Sequence, residues 1–144
     1  MKIQVAFVAA AIALSGCSTT GLGGGRATPT PAASGPAAPA APETIISAMD
    51  GGLIGGAIGS RLKESDRRTA LQAEYRALEY TAAGAAVEWQ GSGVSGSVTA
   101  AQPYRVGSQD CRQYMHMVSS GGGQSQTARG TACRNPDGSW TPLT

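Results

Sequence analysis

The sequence predicts an α+β fold, in which a disordered tether is followed by one or two helices and a small antiparallel β-meander of about four to five strands stapled by a disulfide. Three observations predict this fold. Gly, Ala, Pro, Ser and Thr fill residues 18–42 almost completely, helical periodicity runs from Thr44 to Ala83, and short β segments follow from Ala85 onward. With 21 glycines and 5% aromatic residues, the chain has material for one small core.

The chain begins with a pattern typical of a secretory signal. Lys2 supplies a positive start, and residues 3–14 carry no charge. This apolar run is shorter than the roughly 20 residues that a spanning helix needs. The segment Leu14-Ser15-Gly16-Cys17 is similar to the bacterial lipobox, which predicts a signal peptide over residues 1–16 and lipidation of Cys17. We therefore expect acyl chains to anchor the protein in membrane lipid. Ser18, rather than Asp, after the cysteine resembles the pattern of lipoproteins that are sorted to the outer membrane.

Residues 17–43 are predicted to be the lipidated cysteine and a disordered Gly/Ala/Pro tether. Between Ser18 and Pro42, Arg26 is the only charge and Leu22 the only large apolar side chain, so this segment has nothing to form a core with. Roughly 25 residues at up to about 3.3 Å each are long enough to hold a folded domain several nanometres from its anchor.

Residues 44–83 are predicted to be a glycine-zipper and amphipathic helical segment. Gly51, Gly55 and Gly59 recur every fourth residue, which would place a flat stripe on one helix face. Three interpretations stay open: close helix packing or self-association, a flexible glycine-rich joint, and membrane insertion. The apolar stretch is too short to span a bilayer alone, and it contains Asp50.

The second half of this segment, Ser60 to Tyr80, has the pattern of an amphipathic helix. Leu71 and Leu78 lie one heptad apart, and alanines recur on a related face. The charge run from Lys63 to Arg68 is interpreted as solvated surface. Gly84 is a plausible helix C-cap.

Residues 84–144 are predicted to be an antiparallel β domain. The expected strands are Ala86–Gln90, Ser97–Val106, Asp110–Ser119, Gln124–Asn135 and Ser139–Leu143. Asn135-Pro136-Asp137-Gly138 is a strong turn signal, because proline presets one turn position and glycine accepts a positive φ at another.

A second turn signal, Gly121-Gly122-Gly123, fixes a register that can be tested. If these glycines form a hairpin loop, Cys111 lies directly opposite Cys133, and Tyr114 lies opposite Gly130. Opposed strand positions bring Cβ atoms close to bonding distance, so we expect a disulfide in an oxidising periplasm. Closing this loop is worth on the order of 3 kcal/mol.

No constellation of residues predicts catalysis, a metal site or a cofactor. His116 is the single histidine, and it alternates with the face of Tyr114 and Val118, as a packed or surface residue does. Glu88 and Asp137 lie at strand edges and turns without the spacing of a carboxylate pair. We expect the protein to have no enzymatic activity. A weaker hypothesis, the third after the two interaction roles described below, is a hydrolase that uses one of these two carboxylates.

Two roles are possible for the aromatic residues of the sheet, Trp89, Tyr104 and Trp140. Core packing is the default, because so small a core needs these rings. The alternative is an exposed aromatic strip that binds peptidoglycan or an envelope protein, as in a periplasmic binding module or an inhibitor of a wall-acting enzyme. Basic residues are scattered, so no nucleic-acid partner is expected.

Several segments together resemble the seventeen-kilodalton surface antigen family of Gram-negative outer-membrane lipoproteins. They are the lipobox, the glycine zipper, residues 70–80, Val87-Glu88-Trp89, Gly96-Ser97-Val98-Thr99, Pro103-Tyr104, Cys111-Arg112-Gln113-Tyr114 and residues 130–140. The resemblance covers roughly Gly51 to Leu143, and the Pro-Ala tether is longer than the family's. It implies an antigenic envelope lipoprotein with a small α+β domain and no established catalytic residues. The leading hypothesis is a structural or interaction role at the outer membrane.

Overall fold

The computed structural model describes residues 41–143, and the predicted signal peptide, Cys17 and nearly all of the tether lie outside the described residues. Within this range the predicted α+β fold is confirmed. The elements are α1 (Glu43–Ser47), two 3₁₀ turns (Leu53–Gly55 and Ala57–Gly59), α2 (Glu64–Glu79), β1 (Ala86–Gln90), β2 (Val94–Ala100), β3 (Tyr104–Val106), β4 (Gln109–Ser120), β5 (Ser125–Arg134) and β6 (Trp140–Leu143).

The strands form one antiparallel sheet in the order β1-β2-β4-β5-β6, and β3 pairs with β4 beyond the end of β2. The predicted meander is therefore confirmed. The expected single strand from Ser97 to Val106 is two strands, because the chain leaves the ladder at residues 101–103. Pro103 lies in this break, and proline has no N–H to donate to a ladder.

The register between β4 and β5 is the predicted one. Cys111 pairs with Cys133 at a Cα–Cα distance of 4.0 Å, and the two are joined by a disulfide. Tyr114 pairs with Gly130. Because the turn fixes the register of a hairpin, the three-glycine loop sets every one of these pairs.

Helix α2 packs across one face of the sheet. Ala70, Ala73 and Ala77 are fully buried, and their small side chains let the helix backbone approach the strands closely. Leu78 is also buried, whereas Leu71 is only partly covered. The predicted amphipathic helix is confirmed, but it begins at Glu64 rather than Ser60, since the chain still turns at Leu62.

The prediction of a helix through the glycine zipper is wrong. Helix α1 ends at Ser47, and φ is +48° at Asp50, +79° at Gly51 and +57° at Gly52, which is left-handed backbone. Gly51, Gly55 and Gly59 therefore do not form a stripe on one helix face. Among residues 41–143, no helix has the length and apolar character needed to cross a membrane.

The glycine segment instead folds back on itself and on α2. A Cβ on Gly59 would lie 1.8 Å from the carbonyl oxygen of Ile54, so the loop closes only without a side chain there. Ile54 itself is buried in the core. Of the three interpretations, the structure agrees best with a glycine-rich joint between the two helices.

The two faces of the sheet differ sharply. On β4, Arg112, Tyr114, His116 and Val118 point toward α2 and are buried, while the alternate residues from Gln113 to Met117 are exposed. We call the side away from α2 the outer face.

Candidate functional site: a buried polar cluster and an open sheet face

Glu74 occupies the centre of the buried face of α2. It follows Ala70 by one helical turn and precedes Leu78 by another, so its side chain points at the sheet. Its exposed fraction is 0%. A carboxylate in such a place needs donors on every side, since burying an unpaired charge costs several kcal/mol.

The first donor is His116, whose tautomer follows from the hydrogen bonds. Trp89 Nε1 donates to His116 Nε2 at 2.8 Å, and an indole N–H is a donor only. Nε2 is therefore the unprotonated nitrogen, and the proton lies on Nδ1, which donates to Glu74 Oε1 at 2.7 Å. The imidazole lies edge-on to the ring of Trp89.

The glycine segment supplies the other donors. The backbone N–H of Leu53 donates to Glu74 Oε2 at 3.0 Å, and that of Ile54 donates to Oε1 at 2.9 Å. Consecutive N–H groups that converge on an anion resemble a backbone nest, with a side-chain carboxylate as the anion. A Cβ on Gly52 would lie 2.0 Å from Oε2, so glycine at this position lets the loop close over Glu74.

The cluster does not have the geometry of an acid–base catalyst. Glu74 and His116 have exposed fractions of 0%, and that of Trp89 is 3%. Both ring nitrogens of the histidine are engaged, so neither is free to take a proton from a substrate. The predicted packing of His116 is confirmed. Nearby, burial and then the charge of Glu74 raise the pKa of Tyr114.

Arg112 is a second buried polar anchor and closes the C-terminal end of α2. Its guanidinium donates to the carbonyl oxygens of Ala77 at 3.0 Å, Leu78 at 2.7 Å and Thr81 at 3.2 Å. Its Nε donates to Ala101 at 2.8 Å, in the break between β2 and β3. The carbonyls of Ala77 and Leu78 lie in the last turn of α2, where they would otherwise lack partners. Burial lowers the pKa of Arg112.

A third anchor joins α2 to the far edge of the sheet. Arg134 Nε and Nη2 donate to the two oxygens of Glu79, each at 2.8 Å, and Trp140 Nε1 donates to Oε2 at 2.9 Å. The bidentate arginine holds the pKa of Glu79 below its ordinary value, although burial opposes the shift.

The predicted aromatic strip is wrong. The exposed fraction of Trp89 is 3% and that of Trp140 is 2%, and the two belong to strands at opposite edges of the sheet. Tyr104 is 42% exposed on β3. The default prediction of core packing is confirmed for the two tryptophans, because each needs a buried acceptor for its indole N–H.

The two carboxylates of the third hypothesis do not form a pair. Glu88 is exposed on β1, and Asp137 lies in the turn before β6, so they belong to opposite edges of the sheet. Asp137 accepts from the backbone N–H of Ser139 at 2.9 Å and from its hydroxyl at 2.7 Å. These bonds, the hydroxyl first, lower the pKa of Asp137. Its predicted role as a turn residue is confirmed.

The outer face carries most of the large apolar side chains that remain exposed in residues 41–143. The register places five of the six such side chains on it: Tyr104, Val106, Met115, Met117 and Leu143. Serine and threonine fill about half of the remaining strand positions. On the strands of this face, Glu88 and Arg129 are the two charged residues. It is thus a weakly charged surface that no described element covers.

Sequence reasoning missed Glu74 and Arg112 as buried anchors. A signal for Glu74 was present, since it falls in the same helical stripe as Ala70, Ala73 and Ala77. For Arg112, the signal was its alternation with Tyr114 along the inward face of its strand.

These features define a disulfide-linked α+β domain with a single helix on one face of an antiparallel meander and a polar interior. Residues 76–141 match the family described as 17 kDa outer membrane surface antigen. The resemblance to the seventeen-kilodalton surface antigen family is thereby confirmed over the end of α2 and nearly the whole sheet.

Individual relatives agree with this family. The chain is 43% identical over 86 residues to the 17 kDa surface antigen of Rickettsia bellii, an alignment that covers 58% of this chain and 54% of that protein. It is 46% identical over 82 residues to the Rickettsia felis protein of the same name, covering 55% and 51%. The chain thus spans about half the length of the curated relatives it matches. No solved structure matches it.

Proposed function

We propose that this protein is a lipid-anchored lipoprotein of the outer membrane, with a structural or interaction role similar to that of a surface antigen and no catalytic activity. Cys17 carries the acyl chains, the tether gives reach, and the α+β domain presents its outer face to the envelope. The relatives named as surface antigens and the family described as an outer membrane antigen support this location and role.

One observation carries the non-catalytic part of the proposal. Both ring nitrogens of His116, the single histidine of the chain, are hydrogen-bonded inside the core, one to Glu74 and one to Trp89. The buried Arg112 and the partly exposed Glu79–Arg134 pair likewise hold α2 to the sheet. These polar groups therefore hold α2 and the sheet together.

Metabolic labelling with a palmitate analogue tests the anchor. The parent chain should take up label and sediment with outer membranes, and Cys17→Ser should lose the label and leave the membrane fraction. Thr20→Ala, three residues away, is the matched control and should behave as the parent. An unlabelled parent, or a labelled Cys17→Ser chain, would contradict the proposal.

A further inference from the structure

We infer that the outer face packs against the same face of a second copy of this chain, giving an isologous dimer. This inference names the partner within the interaction role proposed above and rests on that role. Its starting point is the placement of Met115 and Met117 side by side on the central strand β4, with exposed fractions of 36% and 41%. Methionine adapts its shape to a facing apolar surface.

Most of the neighbours of these methionines are uncharged. Met117 lies between Ser97 and Thr127, and Met115 lies between Thr99 and Arg129. A face built of methionine and small hydroxyl side chains is neither basic enough to attract phosphates nor acidic enough to attract cations. Two identical faces of this kind meet without repulsion, as the two inner faces of a β-sandwich do.

The two charges of the face are arranged to complement each other across a two-fold axis. Glu88 lies on β1, on one side of β4, and Arg129 lies on β5, on the other side. A two-fold axis parallel to β4 exchanges these sides. It therefore brings Arg129 of each copy to the flank that carries Glu88 of the other, and both pairs form at once.

The size of the face fits such a contact. Five strands abreast at about 4.8 Å each span about 24 Å, and the strands give an area on the order of 600 Å². Interfaces of standard size bury about 600–1,000 Å² per partner, so this face lies at the lower end of that range. The glycine segment offers no equivalent surface, because Leu53 and Ile54 are bound to Glu74 and Leu53 also packs on Gly130.

The oligomeric state of the non-acylated full chain, Cys17→Ser, tests the inference. Sedimentation equilibrium over a range of concentrations should give a monomer–dimer equilibrium. Met117→Lys should weaken dimerisation by at least about tenfold, because it places like charges near the axis. Ser65→Lys, exposed on α2 away from the outer face, is the matched control and should leave the equilibrium unchanged.

Charge reversal provides the more specific readout. Glu88→Arg and Arg129→Glu should each weaken dimerisation several-fold, and the double variant should return it to within about twofold of the parent. The inference is overturned if the Cys17→Ser chain without further substitution stays monomeric at every concentration. It is also overturned if Met117→Lys leaves dimerisation unchanged, or if the double variant dimerises as weakly as the two single variants.

A photoreactive residue in place of Met117 separates this inference from the proposed role. Crosslinking in intact cells should yield the homodimer. Crosslinks to a different envelope protein or to peptidoglycan, with a monomeric parent, overturn the second copy as partner but leave the interaction role standing. A monomeric parent with no crosslink from this face contradicts both.

Discussion

Glu74 determines much of the architecture as a single residue. Its carboxylate binds one side chain from β4 and two backbone N–H groups from the glycine segment, and His116 passes the network on to Trp89. In a core with few large apolar side chains, such a network fixes which surfaces meet, because any other packing leaves a charge without partners.

Replacing Glu74 by glutamine should destabilise the domain by about 2–3 kcal/mol. The amide keeps the shape but removes the charge and turns one acceptor into a donor that faces N–H groups. Urea unfolding of the Cys17→Ser chain, followed by tryptophan fluorescence, measures the change. Glu64→Gln on the exposed first turn of α2 is the control, with an expected loss of at most about 0.5 kcal/mol. Equal stability of the two variants would refute the role of Glu74.

The sequence predicts one partner of this network but not the other. His116 alternates with Tyr114 and Val118, and that period of two places it on the buried face. Glu74 was not recognised, because a glutamate in a charged helix is expected on the solvated side. Its burial depends on donors contributed by residues twenty or more positions away, which local patterns do not reveal.

At the scale of elements, the glycine segment is where the structure differs most from the prediction, because the expected helix is not formed. A spacing of four fits a stripe on a helix, but it equally fits a chain that turns at each glycine. The backbone turns at Gly51 and Gly52, where φ is positive, and the loop closes over Glu74. Glycine is compatible with both a helix stripe and a turning chain, so the spacing of the glycines alone does not distinguish the two structures.

Gly52→Ala should cost about 3 kcal/mol or more. Its φ of +57° is strained for an L residue, and the added methyl group would collide with the carboxylate of Glu74. Gly122→Ala is the matched control, because no atom lies within 4 Å of the added Cβ, and its effect should stay below about 1 kcal/mol. Urea midpoints of both variants in the Cys17→Ser chain provide the comparison. A Gly52→Ala chain as stable as the control would mean that the loop does not close over Glu74.

The bond between Glu79 and Arg134 should make the joint between helix and sheet sensitive to acid. The pKa of Glu79 is lowered from its ordinary value of 4.5, so the unfolded chain binds this proton first. The contribution is complete above about pH 4.5 and is lost as pH falls through the folded-state pKa. The parent should exceed Glu79→Gln by about 1 kcal/mol at pH 7, allowing for screening at the partly exposed arginine, and by less at pH 3. A difference that grows in acid would contradict this sign.

At the scale of the whole molecule, the hairpin register was the most predictable feature. One three-glycine loop sets the pairing of β4 with β5, and the cysteines then meet without adjustment. What the sequence left open was how α2 lies on the sheet, because that packing depends on Arg112, Glu79 and Glu74 acting together.

Loss of the disulfide should weaken the whole domain. The bridge joins residues separated by 22 positions, which corresponds to about 3 kcal/mol of loop-closure entropy in the unfolded chain. The double variant Cys111→Ser and Cys133→Ser should lose about that much in urea unfolding, and the reduced parent should match it. A double variant as stable as the oxidised parent would show that the bridge does not stabilise the fold.

Intact-mass spectrometry of the protein purified from bacterial membranes tests the central claim of a lipid-anchored, disulfide-linked envelope protein most directly. The expected mass is that of residues 17–144 carrying acyl groups on Cys17, and reduction should add two hydrogens as the bridge between Cys111 and Cys133 opens. A mature chain that begins elsewhere, or one with an unmodified Cys17, would contradict the anchor, and a mass unchanged by reduction would contradict the bridge.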